Sequence, residues 1–188
     1  MRVILIVPPI GYIPEWLIKD VAEFVDSYYS RRGVSVKAGD YLSESLFLSA
    51  YHPFRRQFLG GAFLPTLSEI GNRAGALATV GITKVDLYEK GMNFVFGVAS
   101  EKLRSAVVSI HRLRPEFYGR PSNDELLIER TVKEVMHELG HVFGLSHCPN
   151  VRCVMHFSNS VDDTDIKLPP YYCPNCERKL LRNLEVVL

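Results

Sequence analysis

Long apolar runs are missing from the sequence. The apolar stretch at residues 3–7 is five residues long and is followed by two prolines. It is therefore too short for the core of a signal peptide or for a membrane span. No later run approaches the roughly 18 apolar residues that a spanning helix needs. These absences exclude a membrane-spanning protein and, with no export signal, predict a location in the reducing cytoplasm.

An excess of charge of one sign is missing as well. The 22 Lys and Arg residues offset 21 Asp and Glu residues, which leaves a net charge of +1, and no basic stripe interrupts this balance. Proteins that bind nucleic acid through its phosphates usually carry such an excess, so we expect no nucleic-acid partner. We also expect no latency through a cysteine switch, because no propeptide precedes the domain. Composition leaves the oligomeric state open.

Repeats and low-complexity segments are absent too, and the apolar pattern alternates between strand-like and helix-like segments. A chain of 188 residues with 47% apolar residues is long enough for one domain with a substantial core. We predict strands at 3–7, 34–37, the second part of 78–88, 93–99 and 105–110. We predict helices at 16–28, about 66–77 and 123–144. This order predicts an α/β sandwich, which a loop-like C-terminal subdomain and a short closing segment at 177–188 complete.

The last predicted helix carries the pattern H-E-x-x-H, from His137 to His141. Residues four apart lie one above the other on a helix, so both imidazoles can reach one metal ion. Glu138 lies beside them, where it can polarise a metal-bound water. Gly144 allows the chain to turn, and His147 follows. Three His ligands leave one coordination position open, as a catalytic zinc requires. The alternative, that these are surface residues with Glu138 in a salt bridge, does not account for the longer pattern.

Cysteine is missing from the first 147 residues, and all four cysteines cluster near the C-terminus: Cys148, Cys153, Cys173 and Cys176. Their spacing reads C-x4-C followed by C-x2-C. In an oxidising compartment they could form two disulfides. In a reducing compartment, four thiolates around one metal ion are the simpler interpretation.

At these residues the sequence resembles a known family. The pattern from His137 to His147 is the metzincin metalloprotease signature. The continuation is similar to the archaemetzincins: the third His is followed by Cys, four residues, Cys, one residue and Met155, and then by seventeen residues and C-x-x-C. The segments 82–88 and 93–97 also resemble this family, so that the similarity covers about residues 80–180.

The resemblance implies a role for each of these residues. It implies that His137, His141 and His147 bind a catalytic zinc and that Glu138 is the general base of peptide hydrolysis. Gly144 matches the turn after the helix. Met155 matches a Met-turn beneath the metal. The cysteines match a second, structural zinc site, so that two zinc ions per chain are expected; they are Cys148, Cys153, Cys173 and Cys176.

The resemblance also implies a fold of the zincin type, which is α+β with a twisted mixed sheet and an antiparallel edge strand. Residues 1–144 would form an upper subdomain with the sheet and the active-site helix. Residues 145–188 would form an irregular lower subdomain with the Met-turn and the cysteine site. An extended substrate, a peptide or a small protein, would pair with an edge strand at 94–99. The sequence of residues 94–99 is equally compatible with a strand buried inside the sheet.

Two other functions are compatible with the same residues. A non-proteolytic zinc hydrolase acting on a small amide would use the same zinc and the same Glu138. A binding module would use the cysteine site for protein contact and keep the His site weakly active. The remaining histidines, His52, His111 and His156, are expected to be structural.

Overall fold

The computed structural model describes residues 2–187. Its β-strands are β1 (Arg2–Val7), β2 (Val34–Ala38), β3 (Tyr51–His52), β4 (Gln57–Leu59), β5 (Ala78–Thr83), β6 (Leu87–Tyr88), β7 (Gly97–Ser100) and β8 (Ser105–Ser109). Its α-helices are α1 (Glu15–Tyr29), α2 (Leu64–Arg73), α3 (Asp124–Val142), α4 (Val161–Ile166) and α5 (Pro174–Val187). Short 3₁₀ helices lie at Ser30–Arg32, Glu44–Leu46, Leu48–Ala50, Gly60–Phe63 and Pro115–Tyr118.

The main sheet has five strands in the order β2-β1-β5-β8-β7. The first four strands are parallel, and β7 runs antiparallel to β8 at the edge of the sheet. Parallel strands are covered on both faces, which is why β5 and β8 are buried along their whole length. The mixed sheet and the antiparallel edge strand are therefore as the sequence predicts.

Helices cover the two faces of this sheet. Helices α1 and α3 pack on one face, and α2 packs on the other against β5 and β8. Alternate residues of one strand face opposite layers, so Val108 belongs to the core beneath α3 while Val107 belongs to the core on the other face. The sheet thus forms the surface on which α3 packs, and α3 carries the H-E-x-x-H pattern.

Helix α3 begins and ends at the signals that its sequence predicts. The Asn123 side chain caps the helix by accepting a hydrogen bond from the Leu126 N–H at 2.9 Å. The helix ends at Val142, and Gly144 then adopts a positive φ of 81° that turns the chain back. This reversal returns the next segment, which contains His147, toward the face of the helix that bears His141.

Several predicted boundaries are wrong. In 78–88 it is the first part that forms a central strand, since every residue of β5 is buried, while the second part contains only the two residues of β6. The strand predicted at 93–99 begins at Gly97. The helix predicted at 66–77 spans Leu64–Arg73. It begins earlier because Pro65 is favourable in the first turn of a helix, and it ends earlier because Gly75 adopts a positive φ of 66°, which is not helical.

The C-terminal region is more helical than the sequence pattern indicates. The capping box of Ser160 and Asp163 starts α4 inside the predicted loop. Helix α5 begins at Pro174, three residues before the short closing segment predicted at 177–188. Its residues Leu180 and Leu184 are buried one helical turn apart, as in a helix that packs one face on the core. A small second sheet, β3-β4-β6, is also unpredicted. No helix within residues 2–187 has the length and apolar character of a membrane span.

Candidate active site

The three motif histidines converge on one point. His137 and His141 are one turn apart on α3, and the turn at Gly144 brings His147 opposite them. The Nε2 atom of His141 lies 3.1 Å from that of His137 and 3.2 Å from that of His147. Four ligands placed tetrahedrally at about 2.1 Å from a zinc ion would be about 3.4 Å apart. The three nitrogens therefore fit a single zinc ion.

Hydrogen bonds to the backbone set the protonation of two of these rings. His137 Nδ1 lies 2.7 Å from the Val154 carbonyl oxygen, and His141 Nδ1 lies 2.8 Å from that of Leu145. A carbonyl can only accept, so each Nδ1 donates its proton and leaves the Nε2 lone pair free for a metal.

The surroundings also keep these rings neutral. Burial holds the pKa of His137 well below its usual value and lowers the pKa of His141 and of His147. A neutral imidazole is the form that binds zinc, so no proton has to be displaced near neutral pH.

Glu138 occupies a tight position beside the histidines. Its side chain is buried, and its pKa is raised well above the usual value, first by burial and then by the neighbouring carboxylate of Glu134. Gly97 of β7 lies directly against it, and a Cβ at position 97 would be 2.6 Å from Glu138 Oε1. The glycine therefore lets the edge strand approach the carboxylate with nothing between them.

A tight turn beneath the histidines joins them to the cysteines. The His156 N–H donates to the Cys153 carbonyl at 2.9 Å, and this closes the turn around Val154 and Met155. The Met155 sulfur lies against Gly140 of α3, where a Cβ would overlap it. Val154 holds His137, as described above, and Cys153 belongs to the cysteine cluster. The Met155 side chain thus packs against the helix that carries His137 and His141, and its role as a Met-turn stays a prediction.

The four cysteines also meet at one point. Their sulfurs all lie within 4.8 Å of one another, none is in a disulfide, and the Sγ atoms of Cys148 and Cys173 are 3.8 Å apart. Ligands at about 2.3 Å from a tetrahedral zinc would have nearly that spacing. Burial opposes ionisation of Cys173, but the Cys176 N–H and neighbouring thiols lower its pKa to about 7, whereas burial raises the pKa of Cys153 and Cys176. A cation is needed to ionise all four thiols together.

A cavity of about 480 Å³ opens over the histidines. One wall is the β7 edge with the preceding segment 91–96, and the other is the α3 face with Glu134, His137 and Glu138. Residues 157–159 close one side. Exposed residues such as Asn93 and His147 form its rim, so the cavity is accessible from solvent.

Comparisons with known proteins place this arrangement in a family. Residues 1–182 match the family model of Peptidase family M54. The archaemetzincin of Thermococcus kodakarensis is 98% identical over 188 residues, which is 100% of both chains. The chain belongs to the archaemetzincins, peptidase family M54. This confirms the resemblance read from the sequence and the predicted enzyme class, a zinc metallopeptidase.

Solved structures agree with this assignment. The archaemetzincin of Methanopyrus kandleri matches with a TM-score of 0.83 and 37% identity, over 98% of this chain and 96% of that chain. A zinc-dependent peptidase of Methanocorpusculum labreanum matches with a TM-score of 0.82 and 31% identity, over 95% and 99%. These likenesses confirm the predicted fold class.

The remaining histidines lie outside the cluster of three. His52 is in β3, the His111 ring packs against Phe117, and His156 Nδ1 donates to the Cys148 carbonyl at 2.8 Å. Two residues near the cavity were missed by the sequence analysis: Glu134, which lines it, and Lys167, which lies beside Glu134. Gly97 lies in the edge strand expected at 94–99, but its contact with Glu138 was not expected. Glu134 could have been found from its position on α3, one turn before Glu138, but Gly97 and Lys167 reach the region only through tertiary packing.

Proposed function

We propose that this archaemetzincin hydrolyses peptide bonds, with one zinc ion at His137, His141 and His147 and with Glu138 as general base. The observation that carries the proposal is the shared cavity. Three Nε2 lone pairs, a buried carboxylate and the edge of a strand face the same space, which is what hydrolysis of an extended peptide needs.

The zinc, when bound, supplies Lewis acidity that makes a water more acidic and polarises a carbonyl. Glu138 then acts through its carboxylate oxygens. One oxygen accepts the proton of the attacking water, and the same group passes that proton to the leaving nitrogen. The carboxylate has to be ionised to accept that proton, and the positive charge of a bound zinc would favour this form by opposing the rise in the pKa of Glu138 that burial and Glu134 cause.

A second zinc at the thiolates would be structural. Four sulfur ligands complete a tetrahedron and leave no position for a substrate. We therefore propose two zinc ions per chain, bound at separate sites. In this proposal residues 1–144 form the upper subdomain and residues 145–188 form a lower one, which the thiolate-bound ion stabilises. The free thiols also favour the reducing cytoplasm as the place of action.

The β7 edge favours a peptide over a small amide. Strand β7 is the last strand of its sheet, and its second edge borders the cavity. A peptide can add to such an edge through main-chain hydrogen bonds. The cavity continues along the strand and segment 91–96, so that several substrate residues fit beside it.

A product analysis tests the proposal. Zinc-loaded wild type and Glu138→Ala are incubated with a diverse peptide library, and the products are identified by mass spectrometry. We expect cleavage by wild type only, with a loss of at least 10²-fold in the variant. Equal activity of the two proteins, with both zinc ions present by elemental analysis, would refute the proposal and favour the small-amide or binding alternative.

A further inference from the structure

The cavity walls carry acidic side chains without a Lys or Arg among the described residues. Its charged lining consists of three carboxylates, Glu89, Glu134 and Glu138, and no Lys or Arg of residues 2–187 lines it. Glu138 belongs to the proposed chemistry, and Glu89 Oε1 accepts a hydrogen bond from the Gly61 N–H at 2.5 Å. Glu134 has no place in the proposed mechanism.

Glu134 lies one helical turn before Glu138, on the same face of α3. It is 2% exposed, yet it forms part of the cavity wall. Its Oε1 atom accepts a hydrogen bond from the Thr164 hydroxyl at 2.8 Å. Within residues 2–187, Oε2 accepts no hydrogen bond. Oε2 is not among the fully buried polar atoms that lack a partner, so it is the carboxylate atom that reaches the cavity, where a ligand can donate a hydrogen bond to it.

Lys167 stabilises the charged form of Glu134 from behind the wall. Its Nζ lies 3.9 Å from Glu134 Oε1, the side chain is fully buried, and Nζ has no hydrogen-bond partner among the described residues. Burial raises the pKa of Glu134, and the Lys167 cation and the Thr164 hydroxyl oppose that rise. Burial prevails, so the pKa of Glu134 stays raised overall, and a cationic ligand on the cavity side would favour its charged form further.

The apolar part of the wall suits a long side chain. Val95, Phe96 and Phe157 line the cavity together with Glu134. The methylene stem of Arg or Lys packs on such surfaces while its charged end reaches a carboxylate. One helical turn, about 5.4 Å, separates the level of Glu134 from that of Glu138. The side chain of a substrate residue next to the cleaved bond can span this distance.

We propose that Glu134, supported by Lys167, is a specificity-determining residue that binds a basic side chain, Arg or Lys, adjacent to the scissile bond of the substrate. The proposal rests on the peptidase function proposed above. It predicts discrimination by charge, since Met has a similar length and no charge, and Glu would meet repulsion from Glu134.

Cleavage kinetics provide the first test. The probes are peptides built on one cleaved sequence, with Arg, Met or Glu at each position that flanks the cleaved bond. We expect wild type to prefer Arg to Met by at least tenfold in kcat/KM at one of these positions. Glu134→Gln should lose this preference and still cleave the Met peptide. The matched control Glu125→Gln, an exposed charge change on the same helix, should keep it.

Binding provides a readout that does not need turnover. Labelled alanine-based peptides with a single Arg, Met or Glu are titrated into zinc-loaded Glu138→Ala and followed by fluorescence anisotropy. We expect the same preference for Arg, and we expect its loss when Glu134→Gln is added. The double change Glu134→Gln with Lys167→Met removes both charges, avoids a buried unpaired cation and should give the same loss in a folded protein.

The outcomes separate the two proposals. A preference for Arg in binding without any cleavage by wild type would overturn the peptidase function and leave the basic-side-chain site standing. Cleavage without a preference for Arg, or an equal loss on all peptides in Glu134→Gln and in the double variant, would overturn the role of Glu134 alone.

Discussion

Gly97 determines how closely the edge strand approaches Glu138, and Gly97→Ala measures how much this matters. The added Cβ would lie 2.6 Å from Glu138 Oε1 and 2.9 Å from Cδ, whereas ordinary contact begins at 3.4 Å. The carboxylate or the strand therefore has to move by about 0.8 Å. A misplacement near 1 Å can reduce a rate by about 10²-fold, which is roughly 2.7 kcal/mol of barrier. We expect a fall of that size in kcat/KM.

The assay compares kcat/KM on a cleaved peptide for wild type, Gly97→Ala and Gly97→Ser, together with thermal unfolding. The Ser variant should lose at least as much activity as the Ala variant. Ser100→Ala is the control in the same strand, because Ser100 does not line the cavity. It should stay within about twofold of wild-type activity. A Gly97→Ala enzyme within threefold of wild type would contradict the argument that this contact positions Glu138.

Three further predictions concern stability and metal content. Gly140→Ala places a Cβ inside the radius of the Met155 sulfur, so calorimetry should show a loss of about 1–3 kcal/mol; an unchanged Tm would contradict this overlap. Cys176→Ser should reduce zinc from two ions to one per chain by elemental analysis and lower Tm by about 10 °C, with the His site still loaded. Burial opposes ionisation of Asp86, but hydrogen bonds from Arg112 and Gln57 lower its pKa below 3.8. Asp86 therefore contributes stability above that pH, which is lost as the pH falls through the folded-state pKa. The stability difference between wild type and Asp86→Asn, from urea unfolding, should shrink between pH 7 and pH 3.

The sequence predicts the candidate site well because its geometry is local. His137 and His141 meet through helical periodicity, and Gly144 marks the reversal that brings His147 near them. The cysteine spacing likewise predicts a cluster within a short segment. The edge strand follows from two apolar runs close in sequence, 93–99 and 105–110, which suit an antiparallel pair.

Long-range packing determines what the sequence could not predict. Glu134 and Lys167 are 33 positions apart and pair only because α4 packs on α3. Gly97 meets Glu138 across 41 positions, so neither residue's local pattern reveals the contact. Strand β6 has two residues, too few for any periodicity, and α5 was obscured by the cysteines at its beginning.

The order of residues along the chain places the proposed metal ligands and the opposite wall of the cavity in different segments. Every proposed zinc ligand and the proposed general base lie between residues 137 and 176, and the turn at Val154 ties both clusters to one piece of backbone. The wall opposite, residues 89–99, comes from an earlier part of the chain. An evolving lineage could therefore alter that wall at positions other than Gly97, and with it part of the substrate-facing surface, while the reactive segment and Glu134 stay intact. The same separation lets an engineer vary the wall around a fixed Gly97 in a library and select new specificities on an unchanged metal scaffold.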